Sequence, residues 1–127
     1  MVSIVAAGGI QSSSDILKLI CLGADAVYLG MPMLVALGCG TCQRCFTGKC
    51  AYGITTNKPG LAERIDVQEA TVALTHLIHA WSEEIMELMG SMGISTLEAI
   101  RGNRDRLRGV GMTQQECNIL GIKYAGE

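Results

Sequence analysis

The sequence predicts a mixed α/β chain that cannot complete its own sheet. A β-branched apolar run, a capped helical stretch and a second apolar run follow one another within about thirty residues near the N-terminus, the size of one right-handed strand–helix–strand crossover. Four of the six cysteines then fall within twelve consecutive positions. Beyond them the pattern is helical and no further strand is expected.

The first strand is read over Val2 to Ala6 and ends at Gly8-Gly9; an uninterrupted apolar run of this length suits a parallel strand covered on both faces. Ser12, Ser13 and Ser14 offer N-caps, Asp15 falls in the first turn, and Ile16, Leu17, Leu19, Ile20 and Leu22 recur with helical spacing until Gly23. Ala24 to Leu29 reads as the second strand, closed by Gly30, and Pro32 suits the first turn of a short helix over Met33 to Leu37. A loop rich in Gly and Thr carries the clustered cysteines. A long helix is expected from Asp66, its N-cap, to Met89, stopped by Gly90, with Val67, Ala70, Leu74, Leu77, Ile78, Trp81, Ile85 and Leu88 among its apolar positions. Ser95 is expected to cap a helix through Ile100, and Thr113 a last one toward Leu120, stopped by Gly121. The organisation is therefore a strand-bearing segment over 1–38, a cysteine loop over 39–60 and a helical tail over 61–127.

With 127 residues, 49% of them hydrophobic and 17% charged, the chain has the material for a core and is not a solvated, disordered segment. A net charge of −2 and an aromatic content of 4% argue against nucleic-acid binding and against an anionic membrane surface. The stretch from Ala26 to Gln43 carries no charge before Arg44, but Gly30, Pro32, Gly38 and Gly40 interrupt it as a membrane span. Met1 to Ile10 lacks the basic start and cleavage site of a signal peptide. The expected setting is soluble, cytoplasmic and reducing.

Two strands alone make too small a parallel sheet, so the first segment reads as the end of a larger domain. Exposed edges on these strands predict poor solubility or an obligate partner. Gly8, Gly9 and Ile10 lie between a strand and a capped helix, where backbone amides can hold a phosphate dianion; the plainer reading is a tight turn. Gly30 and Met31 open the next such turn. Two successive loops favour phosphate, in the position that the last two strands of a (β/α)8 barrel provide.

Cys39, Cys42, Cys45 and Cys50 have gaps of two, two and four residues. Thiolates so spaced can converge on one soft metal centre, and a C-x2-C-x2-C run is typical of iron–sulfur ligation. Zinc held by four thiolates is the rival, and unligated structural cysteines a third reading. Gly40, Gly48 and Gly53 would let backbone amides approach cluster sulfides. Cys21 and Cys117 are expected to be small buried hydrophobes, and His76 and His79 surface or packing residues. Trp81, Met86, Met89 and Met92 are read as core, and Arg101 to Arg108 as a solvated helix end or loop. No residue is assigned a catalytic role.

The order "AAGGIQSSSDILKLICLGADAVYLGMPMLVALGCGTCQRCFTGKCAYGITT" resembles the end of the FMN-binding domain of the glutamate synthase large subunit, in its archaeal-type or stand-alone form. In that family a Gly-Gly-Ile/Leu loop follows barrel strand seven, a "GAD-A-V-Y-x-G" segment makes strand eight, and a cysteine loop closes in "C-P-V-G-I-A-T-Q". Cys39, Cys45 and Cys50 reproduce the family's cysteine gaps of five and four, so the resemblance implies that they ligate a [3Fe-4S] cluster; Cys42 is extra and would make a [4Fe-4S] site. "AWSEEIMELMGSMGISTLEAIRGNRDRL" is similar to the family's closing helices, and the likeness covers about residues 2 to 108. Ala51-Tyr52 replace Pro-Val, Asn57 replaces Gln, Phe46 stands for His and Met31 for Thr.

The resemblance implies the last two βα units of a barrel of about 250 residues, with the glutaminase domain and the catalytic residues upstream. It implies L-glutamate formation from 2-oxoglutarate and glutamine-derived ammonia. FMN would be held at its phosphate by Gly8, Gly9, Ile10, Gly30 and Met31, and the cluster would relay electrons from a reductase subunit or ferredoxin. The isolated chain is expected to be inactive. A small ferredoxin-like electron carrier and a zinc-stabilised module are the alternatives.

Overall fold

The computed structural model describes residues 2–127, which divide into two compact units, one made of the residues up to Tyr28 with Glu83–Glu127, the other of Leu29–Ser82.

In the first unit, β1 (Val5–Ala7) and β2 (Ala26–Tyr28) pair in parallel, with Ala6 opposite Val27, and α1 (Ser13–Leu22) is the crossover between them. The Asp15 carboxylate starts the helix, accepting from the N–H groups of Gln11 and Ser12, both at 3.1 Å, and from the Ser12 hydroxyl at 3.0 Å. Leu17, Ile20, Cys21 and Ala24 bury one face against Met89 and Ile100, with Ala6, Val27, Ile85 and Ile94 packed at the margin. Both strands are shorter than expected. Ile4, 60% exposed, and Tyr28, 73% exposed, leave apolar surface on the flanks of a two-stranded sheet that a parallel sheet normally covers. The sheets are incomplete, as the sequence implies.

The tail departs from its all-helical reading. A second parallel pair, β3 (Arg108–Gly109) with β4 (Lys123–Tyr124), brackets α6 (Gln114–Leu120). At two residues each, neither strand has the length for a period-two pattern. The α6 cap is as expected: Thr113 accepts from the Glu116 N–H, and the Glu116 carboxylate accepts in return from the Thr113 N–H. The preceding helix, α5 (Leu97–Ile100), is capped by Thr96 in place of Ser95, its hydroxyl accepting from the Ala99 N–H. Arg101 to Arg108 is not merely solvated. The Arg101 guanidinium meets Asp25 at 2.7 Å, and Arg104 donates to the Leu22 carbonyl at the C-terminal end of α1.

In the second unit, α2 (Met31–Ala36) begins two residues before its expected start, with Pro32 in its first turn. A short helix that the sequence did not announce, α3 (Pro59–Ala62), follows the cysteine loop. The long helix α4 (Val67–Ser91) begins in the second unit and continues from Glu83 in the first, where it passes through Gly90. Its stop is Gly93, whose φ of +70° lets the Ile94 N–H reach back to the Met89 carbonyl at 3.0 Å while Ile94 packs on the core. Met89 is buried as expected, but Met86 is 61% exposed. Among the described residues no helix is long and apolar enough to cross a membrane.

Candidate functional site

The cysteine loop leaves α2 through bonds from the Gly38 N–H to the Val35 carbonyl and from the Cys39 N–H to the Leu34 carbonyl, both 2.9 Å. The Thr41 N–H then donates to the Cys39 sulfur at 3.4 Å. Thr41 and Gln43, on either side of Cys42, have φ of +52° and +55°. The left-handed region is unfavourable for a β-branched residue, so this bend is held in place by its surroundings. Cys45–Thr47 form one 3-10 turn. The Thr56 hydroxyl closes the loop by donating to the Gly48 carbonyl at 2.7 Å.

Cys50 is the best-defined thiol of the loop. It is 8% exposed, and its pKa is lowered to about 7 because backbone N–H groups, Thr55 first and then Tyr52, favour the thiolate over the neutral form. Thr55 Oγ1 is buried and completes no hydrogen bond among the described residues, yet its hydroxyl lies near enough to the Cys50 sulfur to add the weakest of the effects that favour the thiolate. A buried hydroxyl in that state costs about 1–3 kcal/mol.

Cys42 and Cys45 are exposed and Cys39 is half-buried; all six cysteines are free thiols. Among the described residues no three Cys, His, Asp or Glu side chains close on a common point, so this chain does not by itself gather Cys39, Cys42, Cys45 and Cys50 into a cage. Thiolates repel one another until a cation neutralises them, so assembly of such a cage is coupled to metal binding. The donor chemistry fits an iron–sulfur centre: soft ligands in one loop, an N–H already on the Cys39 sulfur, a thiolate favoured at Cys50, and an unpaired hydroxyl beside it.

The loop glycines have local duties. A Cβ on Gly40 would collide with the Tyr52 hydroxyl, and one on Gly53 would lie 2.6 Å from the Leu61 carbonyl oxygen. Arg64 also steadies this turn, donating to the Ala51 carbonyl at 3.0 Å. Sequence reading missed Thr41 and Thr55, since a lone threonine in a loop carries no periodic or spacing signal.

The expected phosphate loops fall in different units. Gly8 and Gly9 have consecutive positive φ values of +94° and +69° and are exposed, while Ile10 is buried at 5%. Their N–H groups have no acceptor among the described residues, whereas the next two are taken by Asp15. These bare amides lie in the turn ahead of the Ser12 N-cap of the ten-residue α1, and successive backbone N–H groups in such a turn can hold an anion. Gly30 precedes the first turn of α2, and Met31 in that turn is 47% exposed. His76 and His79 are exposed on α4. Cys21 and Cys117 are buried at 3% and 0%, as expected, and burial pushes the Cys21 thiol up.

The family model described as "Conserved region in glutamate synthase" matches residues 1–95. The chain belongs to the glutamate synthase family. It is 54% identical over 126 residues to the archaeal glutamate synthase [NADPH] of Methanocaldococcus jannaschii, covering 99% of this chain and 25% of that protein. Against the archaeal-type glutamate synthase [NADPH] of Thermotoga neapolitana the identity is 52%, over 100% of this chain and 25% of the relative. A more distant relative is the ferredoxin-dependent glutamate synthase of Pyropia yezoensis, 32% identical over 79% of this chain and 6% of its own length. The chain thus spans about a quarter of the archaeal-type relatives it matches.

Proposed function

We propose that this chain supplies the cofactor-holding end of an FMN- and iron–sulfur-dependent glutamate synthase, which forms L-glutamate reductively from 2-oxoglutarate and glutamine-derived ammonia. The observation that carries the reading is the cysteine loop: four thiols in twelve positions, with an N–H on one sulfur and the thiolate favoured at another, in a chain of this family. Bound FMN would supply the hydride and the cluster a path for electrons to it.

The residues of this chain hold and orient. Cys39, Cys45 and Cys50, with Cys42 as a fourth, are the cluster ligands. Gly8, Gly9 and Ile10, and separately Gly30 and Met31, offer main-chain amides to the FMN phosphate. The two βα units are the last of a (β/α)8 barrel, and the remaining units are the partner that covers β1 and β2. Electrons come from a reductase subunit or ferredoxin; the relatives include both an NADPH form and a ferredoxin-dependent form. Catalytic residues lie elsewhere in the complete enzyme, in a cytoplasmic setting.

The test is made on the complete protein, purified without oxygen. Glutamine- and 2-oxoglutarate-dependent oxidation of NADPH or reduced ferredoxin, with L-glutamate as product, is expected. Full FMN and iron–sulfur content without glutamate formation would overturn the assigned reaction.

A further inference from the structure

We propose that the Thr55 hydroxyl is a positioning group that donates a hydrogen bond to the sulfur of Cys50 when that cysteine ligates the cluster, and so sets how readily the centre takes up an electron. The inference rests on Cys50 being a ligand, as proposed above, and deepens that reading.

Two bonds bring the ends of the turn together. The Thr56 hydroxyl reaches the Gly48 carbonyl at 2.7 Å, and the Gly53 N–H reaches the Cys50 carbonyl at 3.3 Å. Residues 53–56 are thereby folded back along residues 48–50, and Thr55 comes beside Cys50. The neighbouring hydroxyls are already engaged: Thr56 on Gly48, and Thr47 on the Arg44 carbonyl at 2.8 Å. Thr55 Oγ1 alone is buried without a partner among the described residues. Buried hydroxyls are almost always hydrogen-bonded, so this one has an acceptor in the working protein. The Cys50 sulfur is its neighbour, since both the N–H and the hydroxyl of Thr55 act on that thiol, and at 8% exposure little water competes for it. A hydrogen bond to a ligand sulfur draws off negative charge and favours the reduced, more negative state of the centre.

The experiment uses the complete holoenzyme, purified anaerobically, as wild type, Thr55→Val, Thr55→Ala, Thr55→Ser and Cys50→Ser. Iron and acid-labile sulfide are measured, then the midpoint potential by a dithionite titration followed by paramagnetic resonance. Thr55→Val keeps the shape and removes the hydroxyl. At equal cluster content its oxidised-to-reduced ratio at fixed potential should rise about three- to tenfold, a shift of about 30–60 mV to lower potential for a one-electron couple. Thr55→Ser should restore the wild-type value. If Thr55→Val does not fold, the Ser and Ala variants decide, since they differ chiefly in the hydroxyl. A common midpoint for those two, or a wild-type midpoint in Thr55→Val with its cluster intact, overturns the inference alone. A wild type without iron and sulfide, or a Cys50→Ser variant that keeps its cluster unchanged, overturns the ligand reading beneath it.

Discussion

Replacing Gly53 by alanine separates two physical effects in the turn that shapes Cys50. Gly53 has φ +77°, and an added Cβ would lie 2.6 Å from the Leu61 carbonyl oxygen and 3.1 Å from the Ile65 nitrogen. The left-handed conformation costs an alanine about 1–2 kcal/mol. Backbone atoms cannot swing aside as a side chain can, so the contact adds about 1–3 kcal/mol, the usual range for overpacking. Gly48 is the control: its φ is +63° and nothing lies within 4 Å of its Cβ position, so Gly48→Ala carries the conformational cost alone. Urea unfolding of the purified protein, followed by the fluorescence of Trp81, the single tryptophan and a member of the same unit, reads both variants. Gly53→Ala should be the less stable of the two by about 1–3 kcal/mol. It should also displace the Tyr52 and Thr55 N–H groups, so in the cluster-free chain the Cys50 pKa, read as the thiolate absorbance lost in a Cys50→Ser background, should rise from about 7 toward the ordinary 9.0. Equal stability of the two alanine variants would refute the argument from close contact.

Other perturbations reach the first unit. Ile100 is fully buried, and Ile100→Ala should cost about 2–5 kcal/mol, read as a lower midpoint in urea; a loss below 1 kcal/mol would mean that this cluster is not the core. Asp15 has its pKa lowered to about 2 from 3.8 by the Gln11 N–H foremost, then by Lys18 and Ser12. Its contribution is complete above the ordinary value and is lost as pH falls toward about 2, so Asp15→Asn should flatten the stability profile between those limits. An alanine Cβ at Gly109 would lie 2.6 Å from the Cys117 sulfur, so Gly109→Ala should cost about 1–3 kcal/mol, and Cys117→Ala should relieve part of it; strict additivity in that double-mutant cycle would exclude the contact.

Legibility in the sequence followed the range of the forces involved. The crossover was readable because Ser12, Asp15 and Gly23 mark helix ends locally and the apolar runs carry their own period. The same local logic found Thr113 and Gly121. It failed where one local signal competed with tertiary packing. Gly90 resembles a stop, but burial of Met89 and the packing of Ile94 at the core margin move the end of α4 to Gly93. Serine and threonine are both caps, and nothing local ranks Thr96 above Ser95. The β3–β4 pair depends on a contact across fifteen positions and on the fit of Gly109 to Cys117, neither of which leaves a pattern. At the candidate site, the four cysteines announced themselves by spacing, whereas Tyr52 over Gly40 and the unpaired Thr55 hydroxyl exist only in the folded loop.

The most direct test of the central claim is metal and sulfide analysis of the complete protein, isolated without oxygen, together with Cys39→Ser, Cys42→Ser, Cys45→Ser and Cys50→Ser variants. The account predicts iron and acid-labile sulfide in near-equal amounts, lost on substitution of Cys39, Cys45 or Cys50. Loss in Cys42→Ser as well would identify a fourth ligand, and retention there a three-cysteine site. Zinc bound by the loop, with no iron and no sulfide, would contradict the account.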